Sequence, residues 1–362
     1  MPMNQILAQT IQLRKQLHHT PELSLHETKT KQFLMQFLQS HAQSLEIVDR
    51  GTWFYAYKKG TAALPSIAFR ADYDAVTGAD GRPHHLCGHD GHSAVLAGFG
   101  LCLEEETVNR DVCLIFQPAE EIGQGALLCA PLLCEKHIGE IYAFHNIPGY
   151  PEKEILCLDH TFACASTGLE IRFSGRQSHA AYPENGANPA FAIAETIRSM
   201  HEIMSKRHRG IVLGTVIGIE AGSRAYGVSA GEGTLRLTLR AEYQEEYEAF
   251  VSNIEQTAKA LAQNSGLSVS IARIEEFPAT VNDKACVEKV RAAAKALGQT
   301  PVCPAEPFRW SEDFGYYLQQ TKGAYFGIGC GAVHPALHTT DYEFQDDIIE
   351  CVLRLYHHLL RL

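Results

Sequence analysis

Three apolar runs in this chain each end on a chemically capable side chain. SIAFRAD (66–72) finishes on Asp72, DVCLIFQPAEE (111–121) on Glu120 and Glu121, and EIYAFHNIP (140–148) delivers His145. Runs this short, rich in β-branched and aromatic residues, read as buried strands. Amphipathic stretches of helical period stand beside them, which makes an α/β sheet the expected architecture. Sites in such sheets lie at the carboxyl ends of the strands, where these polar residues fall.

Between the first two runs stands HHLCGHDGHSAVLAGFG (84–100), with four histidines, a cysteine and an aspartate ahead of a small-residue run. Cys87 and His89 are two apart, so an extended backbone points both side chains to one side. A thiolate and an imidazole so placed suit a borderline-soft divalent metal. A lone Cys-x-His is more often a core cysteine beside a hydrogen-bonded histidine. The density of polar groups around two glycines favours ligation here. Asp90 or Ser93 is expected to cap the following helix, with Val95, Leu96 and Phe99 as its inward stripe.

Four further motifs occur in order: FRADYDAV (69–76), FQPAEEIGQGA (116–126), YAFHNIPGYP (142–151) and ALHTTDYEF (336–344). Together with CGHDGH they resemble the M20 metallopeptidases. The likeness is greatest to the amidohydrolase branch of hippurate hydrolases, auxin-conjugate hydrolases and N-acetyldiaminopimelate deacetylases. It extends from LRKQLHHTPELSLHETKT (13–30) to SEDFGYYL (311–318). The resemblance implies a zinc-peptidase-like α/β catalytic domain with a mixed sheet, plus an inserted α+β ferredoxin-like lid and dimerisation domain. It implies two divalent ions (Mn, Zn, Ni or Co) held by Cys87, His89, Glu121, His145 and His338, with Cys87 bridging them where other branches use aspartate. Glu120 is then the base that deprotonates the attacking water and protonates the departing amine. Asp72 orients a ligating imidazole, and His92 stands behind the ligands or is structural. His179, in GRQSHAAYP, reaches across a homodimer to stabilise the oxyanion. Arg70 and Asp74 are left as a candidate ion pair.

Two positions depart from the family pattern. In AYGVSAG, Gly227 stands where the family has an asparagine that contacts the substrate carboxylate, and Arg224 is a candidate substitute. Trp310 replaces the glycine before SEDF, which is expected to bring an indole close to the site, to narrow the pocket or to stack on an aromatic acyl group.

At 362 residues the chain has room for two domains. After residue 165 its character changes. GLEIRFSG, a loop and long helix, IVLGTVIGIEAG, TLRLTLRAEY, a second helix and LSVSIARIEE give the order β-α-β-β-α-β, the ferredoxin-like pattern. The expected division is therefore 1–165 with 278–362 for the catalytic domain and 166–277 for the insert. In the second helix of the chain, Thr28, Phe33, Leu34 and Phe37 are the expected inward positions. The net charge of −11 argues against nucleic acid or an anionic membrane as partner. No apolar run is long enough to span a bilayer. Eleven cysteines without regular spacing fit free thiols in a reducing cytoplasm. The expected activity is hydrolysis of the amide of an N-acyl amino acid. A carboxypeptidase or dipeptidase using the same site is the nearest alternative, and a non-catalytic binding protein on the same fold a remoter one.

Overall fold

Four parallel strands form the middle of a seven-stranded sheet: Val112–Gln117, Ser66–Asp72, Ile138–Ile147 and Lys322–Gly329, neighbours in that order. Antiparallel strands flank them, Phe54–Lys58 and Glu46–Asp49 on one side and Ile155–Leu156 on the other. Ser66–Asp72 and Val112–Gln117 are buried along their whole length, as central strands covered on both faces must be. The pairing sets Asp72 opposite Gln117 and Gly327 opposite His145. The strand ends therefore align their polar residues along one edge of the sheet.

The computed structural model describes residues 1–362. They divide into two units. The first comprises Met1–Phe162, Thr280–Pro307 and Glu312–Leu362; the second comprises Ala163–Ala279 and Phe308–Ser311.

In the first unit, helix His89–Cys102 packs on strand Ser66–Asp72 and between helices Met3–His18 and Ile349–Leu359. Residues 89–101 of that helix are all buried, so it has no single inward stripe. A Cβ on Gly98 would sit 2.2 Å from Thr10 Oγ1, which shows how closely two helices approach there. The expected side-chain cap is also absent. The helix starts at His89 from Gly88, at φ +101°. Asp90 instead bonds His18 at 2.8 Å, and Ser93 donates to His89 O at 2.7 Å. In helix Thr28–His41 the inward line is Thr30, Leu34 and Leu38. Of the four positions expected there only Leu34 is buried, because the aromatic spacing suggested a phase that the i, i+4 line from Thr30 overrides.

The second unit is an antiparallel sheet in the order Val212–Ala221, Glu232–Ala241, Ala165–Ser174 and Ser268–Phe277. Helices Pro189–Met204 and Gln244–Asn264 pack on it. Its core sets Leu169, Ile171, Leu235 and Leu237 against Ile193, Phe250 and Ile254. Strand Glu232–Ala241 alternates buried and half-exposed residues, the period-2 pattern of a sheet covered on one face. The segment FRWS joins this unit because the Cys164 N–H donates to Phe308 O and Trp310 O, at 3.0 and 3.1 Å. Arg240 adds bonds to Arg309 O and Ser311 Oγ. Trp310 thus belongs to the second unit, stacked on Phe308 with ring centroids 5.1 Å apart. No helix is long and apolar enough to cross a membrane.

Candidate metal centre

Gly88 turns the chain between Cys87 and His89. Its φ of +101° favours glycine, and a Cβ there would lie 2.4 Å from Asn146 Oδ1. The turn sets Cys87 Sγ 3.5 Å from His145 Nε2, at the end of the adjoining sheet strand. The ligand atoms of Cys87, His89 and His145 all lie within 4.8 Å of one another. So do those of Cys87, Glu121 and His338. The five expected donors therefore form two triads that share the cysteine.

Hydrogen bonds at Nδ1 orient two of the rings. His145 Nδ1 donates to Asn146 O at 2.8 Å, leaving Nε2 unprotonated towards Cys87. His89 Nδ1 faces Asp74 O at 3.0 Å and Asp74 Oδ1 at 3.1 Å, both acceptors, so Nε2 again points into the cluster. The backbone of His338 is pinned by its N–H to Leu86 O at 2.8 Å, and its Nε2 lies 3.6 Å from Glu121 Oε1.

Two buried atoms here have no hydrogen-bond partner: His89 Nε2 and Glu121 Oε1, 3.7 Å apart. Buried polar atoms without partners are uncommon. A divalent cation would satisfy both, and the donor set of one thiolate, three imidazoles and one carboxylate suits it. The residues present fit a two-ion centre. The electrostatics agree. Burial opposes charging His89, yet Asp72, Cys87 and Asp74 outweigh it and hold its pKa well above the usual imidazole range. Bonds to Cys87 and Glu121 raise His338 to about 10. The cluster attracts positive charge.

Glu120 and Glu121 both approach His89 Nε2, at 4.0 and 3.7 Å. In a regular strand, neighbours point to opposite faces. Here the strand ends at Gln117, and Ala119 at φ +53° redirects the chain. Such strain costs of order 1–3 kcal/mol. Glu120 Oε1 accepts the Asp313 N–H at 3.3 Å. Burial, with Glu312, Glu121 and Asp313 nearby, pushes its carboxyl well above the carboxylate range.

Two carboxylates of the FRADYDAV motif face imidazoles here. Asp72 Oδ1 bonds His92 Nδ1 at 2.7 Å and stands 4.0 Å from His89 Nε2. The carboxylate that orients the His89 ring is Asp74, which also accepts the Ser24 hydroxyl and the Glu121 N–H at 2.7 and 3.0 Å. Arg70 pairs with Asp72 rather than Asp74. Its fully buried guanidinium also binds Asp313, Glu312 and Gln117. His92 Nε2 meets Asn146 Oδ1 at 2.6 Å. Among the supporting residues, Asn146, Glu312, Asp313 and Glu27 carried no signal in the sequence beyond lying in or beside the motifs.

His179 lies in the second unit and is exposed. Its Nδ1 accepts the Ala181 N–H at 3.1 Å, and its backbone pairs with Val228. A Cβ at Gly227 would meet nothing within 4 Å, and the residue is not left-handed. Neither crowding nor backbone strain accounts for this glycine.

A model of the family described as Peptidase family M20/M25/M40 matches residues 68–362. The N-acetyldiaminopimelate deacetylase of Exiguobacterium sibiricum is 27% identical over 366 residues, covering 97% of this chain and 98% of the relative. The YXEP protein of Bacillus subtilis, described as a dinuclear metal binding peptidase of the M20 family, superposes with a TM-score of 0.83 at 24% identity, covering 99% of this chain and 98% of that one. An aminobenzoyl-glutamate utilization protein from Klebsiella pneumoniae gives 0.75 at 20%, over 98% and 96%. These structures share the fold.

Proposed function

The chain belongs to peptidase family M20/M25/M40, and we propose that it is a binuclear metal-dependent amidohydrolase that cleaves the amide bond of an N-acyl amino acid. The observation that carries this reading is the pair of donor triads sharing Cys87. Cys87, His89, Glu121, His145 and His338 would hold two divalent ions of the Mn, Zn, Ni or Co type. When bound, such ions polarise an amide carbonyl and make water acidic near neutral pH. The substrate class is supported by the deacetylase named above, whose length this chain spans.

Glu120 is the base in this proposal. Its carboxylate accepts the Asp313 N–H and clusters with His89 and Glu121 and with Glu312 and Asp313, outside the two triads that share Cys87. Kept ionised by the positive charge of bound ions, which would offset the burial and neighbouring carboxylates that raise its pKa, it takes a proton from the attacking water and passes it to the departing amine. Asp74 keeps the His89 ring in the tautomer that presents Nε2. His179 supplies an N–H to the oxyanion from the partner of a cytoplasmic homodimer.

Protein stripped with a chelator and reconstituted with one metal at a time tests the reading. N-acetyl amino acids, N-benzoyl amino acids and dipeptides are offered to each sample, with metal content measured alongside. The expected result is loss of activity on stripping, recovery with metal, and preference for N-acyl amino acids. Undiminished hydrolysis by verified metal-free protein sinks the metallohydrolase. Preference for dipeptides makes the chain a peptidase instead.

A further inference from the structure

We propose that Glu27 is a positioning residue of the metal centre: its carboxylate holds Ala119 in the left-handed conformation that turns Glu120 and Glu121 together towards His89. The inference rests on the reading of Glu121 as ligand and Glu120 as base.

The loop after strand Val112–Gln117 satisfies two of its own carbonyls. The Gly123 N–H donates to Glu120 O at 2.8 Å, and the N–H groups of Gln124 and Gly125 converge on Ala119 O at 3.2 and 3.1 Å. It is tightly wound, since a Cβ on Gly125 would fall 1.7 Å from Pro118 O. Three of the remaining N–H groups are met from outside, each by a buried carboxylate. Glu27 Oε1 accepts from Ala119 at 2.8 Å, Asp74 from Glu121 at 3.0 Å, and Asp313 from Ala126 at 2.8 Å.

Of the three, Glu27 is the one that acts through the backbone alone. Asp74 also touches His89, and Asp313 also binds Arg70. Glu27 bonds none of the five donors. Ala119 has no intrinsic preference for φ +53°, which alanine adopts rarely. Glu27 is 5% exposed and Ala119 fully buried, so water does not stand ready to take over the bond. Glu27 comes from the segment leading into helix Thr28–His41, far from the loop in sequence. That helix is thereby coupled to the placement of both glutamates.

The test measures zinc affinity by competition with a chromophoric chelator, together with hydrogen exchange at the Ala119 amide in metal-free protein. Glu27→Ala is expected to expose that amide to exchange and to weaken zinc binding about 10–100-fold, the usual loss when a group supporting a ligand is removed. Glu27→Gln keeps an acceptor oxygen and should stay close to wild type. Adding Ala119→Gly to Glu27→Ala should recover most of the lost affinity, because glycine takes a positive φ without strain. Should Glu27→Ala fail to fold, Glu27→Asp, one methylene short of the amide, takes its place in the cycle. Wild-type zinc affinity in Glu27→Ala overturns the proposal. So does a loss that Ala119→Gly does not relieve. A protein that passes these measurements yet hydrolyses no amide would refute the amidohydrolase while leaving the role of Glu27 intact.

Discussion

Glu120 and Glu121 are adjacent, chemically identical, and both near His89 Nε2, so their roles must be divided by their surroundings. Glu121 lies within the Cys87–His338 triad, and one of its buried oxygens lacks a partner. Glu120 is held by the Asp313 N–H. Glu120→Gln should therefore keep its full complement of metal and lose about 10²–10⁴-fold in kcat, the share of a general acid–base group. Glu121→Gln should lose metal. Metal analysis of the two purified variants decides between them, and the opposite pattern would exchange the roles. The five proposed donors stood out in the sequence through short motifs, with Cys87 and His89 at a helix start, His145 near a strand end, Glu121 in the loop after a strand and His338 in a turn. The sequence could not distinguish Asp72 from Asp74. Two residues apart on an extended chain, both point the same way, and the strand's end at Asp72 decides which ring each one meets. Glu27 was illegible for another reason: its partner is a backbone amide 92 positions away.

At the scale of elements, the centre depends on four strand or loop ends being held in register. Arg70 does much of this. Its guanidinium reaches Asp72 at 2.6 Å, Gln117 at 2.8 Å, Asp313 at 2.7 Å and Glu312 at 3.0 Å. Two neighbouring strands and the Glu312–Asp313 segment meet on one buried cation. Removing one partner from a buried ion pair strands the remaining charges, at a cost of about 3–5 kcal/mol. Arg70→Ala should lower the free energy of urea unfolding by that much. A loss below about 1 kcal/mol, the worth of an exposed pair, would mean the three carboxylates relax or take up protons at little cost. The strands themselves were easy to read, since apolar runs of six or seven residues between polar ends admit few alternatives. Helix phase was harder. In Thr28–His41 a buried threonine, which composition alone would place outside, sets the inward line.

The second unit contributes none of the five donors, and its proposed part in the reaction rests on His179. Its sheet has two edges, and the edge strand Val212–Ala221 exposes Ile217 and Ile219 at 61% and 55%. An apolar edge left unpaired invites association, and pairing with its own copy about a two-fold axis is the closed solution. Sequence patterning gave the order of strands and helices here. It gave no hint that Phe308–Ser311 joins this unit, because that depends on backbone bonds to Cys164. If His179 of one protomer serves the partner's metal centre, two inactive variants should rescue each other. Glu120→Gln and His179→Ala, mixed under conditions that exchange subunits, form mixed dimers in which one of the two centres combines an intact Glu120 with an intact His179. Random exchange places about half the molecules in such dimers, so roughly a quarter of wild-type activity should return. Each variant alone should stay low, since losing one oxyanion donor costs about 10²–10³-fold in kcat. Mass spectrometry of differently tagged chains establishes whether exchange has occurred. Exchange without recovered activity would confine His179 to its own chain or remove it from the reaction.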